Sequence, residues 1–392
     1  MNKKLCLLAI VAAVVSVIHT PAYSKQTIFS DGDRKLEIGG RAHLQYFRED
    51  ENAGTGATDD IGFRRLRVEL DTSINKNWGA QIEWEFGESD EVDIDAGESN
   101  GELVDGYIEY KPGNGGKLRF GHTRVVQFGR SDLTSSNYAH QVERTLVGST
   151  NSGVPGRQTG IGWLGERKED TKFVWDLGFA FAEIDPANNQ IDFDSEINSD
   201  AGNSEGLLFG GRVQYFPFGY FKERHDNFDR KSKLGFALAA FQWDNDGDQR
   251  GLDVDDPDIE EITGVEVSGA YRGYGWSVDA QYNTFSAEAV TADLGKITGN
   301  TIFEANGDVN LDVYAVEVGY EIIPNKVQVA VSYAVQDADA YVDKFTQAQI
   351  GASYYFKRHD VKVQASYRIE DSVDGANGND RDTLFVQLQY LY

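Results

Sequence analysis

Three arginines, Arg130, Arg144 and Arg157, share the stretch 127–157 with only two acids, Asp132 and Glu143. That stretch has 31 residues, no strand pattern, and carries Tyr138, Leu146 and Val147. Segments of this length without regular pattern are usually functional loops. Guanidiniums held at a narrow, water-poor place attract anions and reject cations. Glu143 and Arg144 are neighbours and are expected to fix the loop as an ion pair. A second group of bases, Arg41, Arg65, Arg67, Arg119 and Arg212, alternates with apolar neighbours, so each is expected on the polar face of its strand. Other chemistry finds no residues to carry it. The six histidines sit in no H-E-x-x-H motif, and no G-x-S-x-G and no glycine-rich phosphate loop occurs. The single cysteine, Cys6, excludes a disulfide scaffold and a thiolate metal site. No catalytic residue, metal or cofactor is expected.

The elements that position these arginines read with period two. In 64–74, Leu66, Val68, Leu70 and Ile74 share one face, while Arg65, Arg67, Glu69 and Asp71 share the other. Val327, Val329, Val331, Tyr333 and Val335 alternate with Gln328 and Ser332 in the same way. Strict alternation marks a strand with one apolar and one polar face. Sixteen such stretches follow one another, from about 35–48 to 382–392, most of them 9–14 residues long. That length suits a tilted strand crossing a bilayer, and exceeds the usual strand of a soluble sandwich. Short turns such as 75–77 and 323–325 alternate with long polar loops, and 219–231 is the one long gap on the turn side. This rhythm predicts an all-β fold: a closed 16-stranded antiparallel transmembrane β-barrel with short periplasmic turns, long external loops and both termini in the periplasm. Such a barrel closes because lipid satisfies no free edge. The last strand ends on Tyr392 after Leu384, Val386, Leu388 and Tyr390 at every second position, like a barrel-assembly signal. Trp78, Tyr110 and Trp276 are expected in interfacial belts.

Charge and hydropathy narrow the class. Lys3 and Lys4 precede the apolar run 5–18, and Ala22-Tyr23-Ser24 resembles a cleavage site, so residues 1–24 read as a signal peptide and 25–392 as the barrel domain. A mean hydropathy of −0.47 excludes a bundle of transmembrane helices. A formal charge of −27 excludes a nucleic-acid binder working through a basic field. Most of the acid falls in 49–60, 88–102, 183–205 and 244–261, which read as a solvated external collar facing lipopolysaccharide. Asp244-Asn245-Asp246-Gly247-Asp248 lacks the glycine and glutamate spacing of a calcium loop.

The segments FRRLRVELDTSINKNWGAQIEWEF (63–86), LVDGYIEYKP (103–112), LRFGHTRVVQFG (118–129) and LTSSNYAHQVERTL (133–146) resemble, in order, the phosphate-selective porin O/P family. The resemblance is best over about 35–165 and includes Arg64-Arg65, Thr134-Ser135-Ser136 and Glu143-Arg144. It implies an outer-membrane porin, a homotrimer of 16-strand barrels passing small anions such as phosphate or polyphosphate. Two alternatives stand beside it: a general or cation-preferring porin whose arginines are paired with Glu69, Glu83 and Glu143, and a non-conducting barrel adhesin.

Overall fold

A computed structural model describes residues 25–51, 57–87, 101–113, 115–148, 152–185, 191–194, 204–245, 259–289 and 308–392. The expected signal peptide, and most of the acid-rich stretches 88–102, 183–205 and 244–261, lie outside the described residues.

Each expected strand forms. The wall is made by β2 (Arg34–Glu51), β3 (Thr58–Ser73), β4 (Trp78–Glu85), β5 (Glu102–Tyr110), β6 (Lys117–Thr123), β7 (Gln158–Leu164) and β8 (Phe173–Asp185). It continues through β10 (Ser204–Tyr215), β11 (Lys233–Asn245), β12 (Ile259–Gly273), β13 (Trp276–Ala289) and β14 (Asp308–Ile323). The last four are β15 (Val327–Ala338), β16 (Phe345–Lys357), β17 (Val361–Asp371) and β18 (Arg381–Leu391). Every neighbour is antiparallel, and β18 pairs with β2 through Gln387 opposite Gln45. The ring of sixteen is thereby closed. Two short strands add to it: β1 (Gln26–Asp31), an exposed hairpin on the first residues of β2, and β9 (Asp192–Asp194), an extension on β8. Tyr392 seals the seam. Its N–H donates to the Gly40 carbonyl at 3.1 Å, Gly40 N–H returns the bond at 2.8 Å, and its hydroxyl donates to the Arg67 carbonyl at 2.9 Å.

The outer face is apolar: Ile82, Trp84, Phe179, Phe181, Leu238, Val267 and Ile350 are exposed. At the short-turn rim, Trp78 packs on Tyr110 and Trp276 on Tyr320, each with centroids 4.5 Å apart, where amphipathic rings meet the headgroups.

The interior departs from simple alternation. On the loop-side half of β8 to β15 the inward positions are apolar too: Ala180, Ala182, Ile184, Phe241, Trp243, Phe285, Leu311 and Val313 are buried. They pack with Val125, Val126, Phe128, Leu146, Val147 and Val154 of the 124–157 segment. A water-filled lumen would leave these groups wet. The barrel instead has a core of its own on that side, and those six loop residues contribute on the order of 10 kcal/mol of gross apolar transfer.

Candidate permeation site

The 124–157 segment enters the lumen past the end of β6 at Thr123, and within that strand Gly121 holds a backbone that only glycine adopts readily. Gly121 has φ +131°, and a Cβ there would strike the Gly106 carbonyl. Beyond it, the main chain at Val125 lies directly on β7 and β8, over Gly162 and Gly178. A single helical turn, Arg130–Leu133, and short 3-10 turns at Ser136–Tyr138 and Leu146–Gly148 fold the rest.

The loop is fastened to walls far away in sequence. Gly129 N–H donates to Glu266 at 2.7 Å, Ser131 N–H to Gln281 at 2.8 Å, and Arg130 Nε to Asp279 at 2.7 Å. Further on, Val142 N–H donates to Ser366 Oγ at 3.0 Å, and Gln364 and Gln389 donate to the carbonyls of His140 and Asn137. His43 Nε2 meets Asn137 Oδ1 at 3.1 Å. Every such bond satisfies a backbone or wall group that would otherwise be buried unpaired.

The contacts divide the lumen. Inward groups of β12 to β18, such as Glu266, Asp279, Asn283, Gln349, Gln364 and Gln389, are buried. Across from them, the side chains of Arg41, Arg64, Arg67, Asp71 and Arg119 keep 12–29% exposure. Open space therefore follows the wall of β2 to β6.

Register orders the charges on that wall. Arg41, Arg67 and Glu85 lie in one row; Glu69, Glu83 and Asp105 in the next; Asp71, Gln81 and Tyr107 below; then Glu109 and Arg119. Arg41 and Arg67 share Glu83 at 3.0 and 3.1 Å, and Arg67 also bonds Glu85. Arg119 donates to Glu109 at 3.0 Å and lies over the Tyr107 ring at 4.2 Å. The loop faces this wall with Arg124 on Asp132 at 2.6 Å, Arg157 on Asp105 at 3.4 Å, and Glu143, which accepts from Arg64 at 3.0 Å. At the turn-side mouth, Lys25 bridges Glu69 and Asp71.

Two of these arginines escape a reading by alternation. Arg65 stands opposite His43 and Phe63 opposite Leu44, so Arg64 is the extra residue of a β-bulge. Ile61 and Phe63 face lipid. The bulge therefore turns both Arg64 and Arg65 to the lumen before Leu66 resumes the outward face. The slip is visible in the sequence as two apolar runs out of phase by one residue. Arg124 lies between the end of β6 at Thr123 and the 127–157 stretch, so neither pattern marks it.

Other expected positions are corrected. Arg130 and Arg212 do not line open space. Arg130 is buried on Asp279, and Arg212 is buried on Glu266 and Ser268, beneath the loop. The Glu143–Arg144 pair does not form, because Arg64 reaches Glu143 first. Arg144 donates instead to the carbonyls of Ser131 at 3.2 Å and Thr134 at 2.7 Å, pinning the loop to itself. Arg67, Arg119, Arg41, Arg144 and Arg157 stay partly exposed on the open side, and Arg65 on the same wall is buried.

Glu143 sets a pH limit. Burial alone would raise its carboxyl, but Arg64 and Arg65 hold it down at about 2. A carboxylate depressed in the folded state stabilises above its unfolded value of about 4.3, and that contribution is lost as pH falls toward 2. Conductance and open-channel noise are accordingly expected to be flat from about pH 7 to pH 5, with loop flicker appearing only near pH 3 and below. A titration of single-channel current checks this, and flicker setting in at pH 6 would contradict it.

Comparison with known proteins agrees with the geometry. Residues 36–220 match the family model described as phosphate-selective porin O and P. No curated protein sequence matches. Among solved structures, the chain is similar to an anion-selective porin from Comamonas acidovorans, with 12% identity, a TM-score of 0.62, and coverage of 92% of this chain and 100% of that one. It is also similar to OmpF of Salmonella typhi in complex with daunomycin, with 16% identity, a TM-score of 0.59 and coverage of 94% and 100%. A trimer form of OmpT from Vibrio cholerae matches at 15% identity, a TM-score of 0.54 and coverage of 92% and 100%.

Proposed function

We propose that this outer-membrane porin, similar over residues 36–220 to the phosphate-selective porin O and P family, passes small anions of the phosphate class along the β2 to β6 side of its lumen. One observation carries the sign of the selectivity. Arg41, Arg64, Arg67, Arg119, Arg124 and Arg157 each have a carboxylate partner, and those pairs largely cancel at the distance of a passing ion. Arg65 and Arg144 have none within ion-pair distance among the described residues, and one Arg65 nitrogen is buried without a partner. Both flank Glu143, which Arg64 already neutralises. Two surplus guanidiniums beside a narrow passage lower the energy of an anion there and raise that of a cation. A phosphate, with several acceptor oxygens, gains most from such a place.

The acid-rich external stretches oppose this only at a distance. At physiological salt the Debye length is about 8 Å, so carboxylates beyond that are screened. The anion preference is therefore weak to moderate, and falls as salt is lowered.

The test is reversal potential in a planar bilayer under a KCl gradient. Wild type is expected to favour chloride, and added inorganic phosphate to reduce the chloride current. Arg65→Gln with Arg144→Gln shifts the potential toward cations, whereas Arg144→Lys, which keeps the charge, shifts it little. A cation-selective wild type, unmoved by the double substitution, would refute the reading in favour of a general porin. The absence of any conductance would favour an adhesin. The proposed assembly is a homotrimer, as in the OmpT trimer form, and crosslinking in intact membranes that yields only monomer would count against it.

A further inference from the structure

Six of the seven gaps on the periplasmic side are short turns, but the chain between β10 and β11, residues 216–232, is not. It folds up into the barrel. Phe216 and Phe221 pack with Val174 and Ala270 against the inner wall, and Phe216 sits over Gly235. Arg272 donates twice to the Arg224 carbonyl, at 2.8 and 2.5 Å, and Gln328 donates to the His225 carbonyl at 3.0 Å. Asn227 N–H reaches Glu321 at 3.3 Å, Asp226 meets His359 at 3.0 Å, and Phe228 lies edge-on to Tyr355. The segment thus covers the mouth over β12 to β17.

At its tip it touches the inserted external loop. His225 N–H donates to the Tyr138 carbonyl at 3.1 Å, the Arg224 guanidinium lies 3.9 Å above the Tyr138 ring, and the His140 and His225 rings are 4.4 Å apart. His225 and Asn227 are as buried as core residues. Two segments entering from opposite membrane surfaces therefore meet and support one another inside the barrel.

We infer that residues 216–232 are a periplasmic strut that seats the constriction loop and closes half of the lumen, so that pore width and selectivity depend on Arg224, His225 and Phe228 as positioning residues. The argument is geometric. Without the strut, the underside of the loop at Tyr138 and His140 loses its contact, and the polar wall at Arg272, Gln328 and Tyr355 opens to water. Ions then gain a second path that does not pass Arg65 and Arg144. The strut carries the loop from below, while the bonds to Ser366 and Gln364 hold it from the side.

This inference rests on the channel reading above, and the experiment separates the two. Wild type, a variant with 219–230 replaced by a short turn, and the double variant Arg224→Gln with Phe228→Ala are compared in planar bilayers under a KCl gradient. Heat-modifiable migration reports whether each barrel is closed. The shortened variant is expected to migrate as a closed barrel, conduct about two-fold more or better, and lose most of its anion preference. The double variant is expected to keep wild-type migration and show frequent large-conductance excursions. Should the shortened chain fail to close, the double variant decides. A conducting wild type with conductance, noise and reversal potential unchanged in every closed variant overturns the strut while leaving the channel reading intact. A silent wild type overturns the channel reading itself.

Discussion

Gly178→Val is expected to lift the constriction loop and raise single-channel conductance roughly two-fold or more. Gly178 faces inward on β8 with Gly162 and Gly210 on either side, and the Val125 carbonyl occupies the space its side chain would need. The obstacle is main chain, so no rotamer change relieves it. The backbone at 125 cannot slide either, being held between the end of β6 at Thr123 and the Arg124–Asp132 pair. Overpacking of this kind costs about 1–3 kcal/mol, which moves a docked-to-lifted equilibrium by roughly five-fold to a hundred-fold. The matched control is Gly269→Ala. Gly269 faces lipid on β12, where a Cβ finds ordinary contact with Phe236 at 3.5 Å. Its conductance should equal that of wild type. Equal conductance in Gly178→Val as well would show that the loop does not set the pore.

Asp279→Ala is expected to loosen the loop by a different route and to cost the barrel about 3–5 kcal/mol, the usual penalty for stranding buried charge. Asp279 is buried and bonds two guanidiniums, Arg130 of the loop at 2.7 Å and Arg272 of β12 at 2.8 Å. Removing it leaves both cations without a counter-charge, with His225 close by at 3.9 Å. The Arg130 side chain has no path to water while the loop stays docked. The temperature at which the compact form converts to the unfolded one on a gel should fall clearly, and open-channel current should become noisy. Asp50→Ala is the reference, because the Arg48–Asp50 pair at 3.5 Å is exposed and worth at most about 1 kcal/mol. A conversion temperature and noise level matching wild type in Asp279→Ala would sink this account.

The wall was legible before the structure because lipid imposes its demand on every second residue, and that signal survives even where the inner face changes character. The hairpin at Gln26–Asp31 escaped because all of its residues are exposed and no buried face marks it. The assumption that lumen means polar failed on β8 to β15, where Phe241, Trp243 and Phe285 point inward because a loop lies on them. The site was legible in part. The basic loop and most of its facing arginines could be named from alternation and charge, whereas their partners could not. Glu143 chooses Arg64 over its neighbour Arg144, and Arg130 chooses Asp279, 149 residues away, through folding that no local pattern encodes. The inward glycines come nearest to such a code. Gly178, Gly319 and Gly351 trace the footprint of the loop across the wall, the last two beneath His140 and Gln141.

The same long reach bears on how the molecule is made. The loop is synthesised ahead of its seat, since Glu266, Asp279, Glu317 and Ser366 all come after it in the chain. Its closure with Ser366 spans 224 residues, and such distant contacts form late because the chain must lose much freedom first. Until then, a strand such as β11 presents oily surfaces on both sides, Leu238 destined for lipid and Ala239, Phe241 and Trp243 for the loop. The β2 to β6 half has a water-compatible side from the start. Assembly of this barrel is therefore lopsided in risk: a stalled intermediate is sticky on one flank only, and whatever shields the unfinished chain must cover that flank longest.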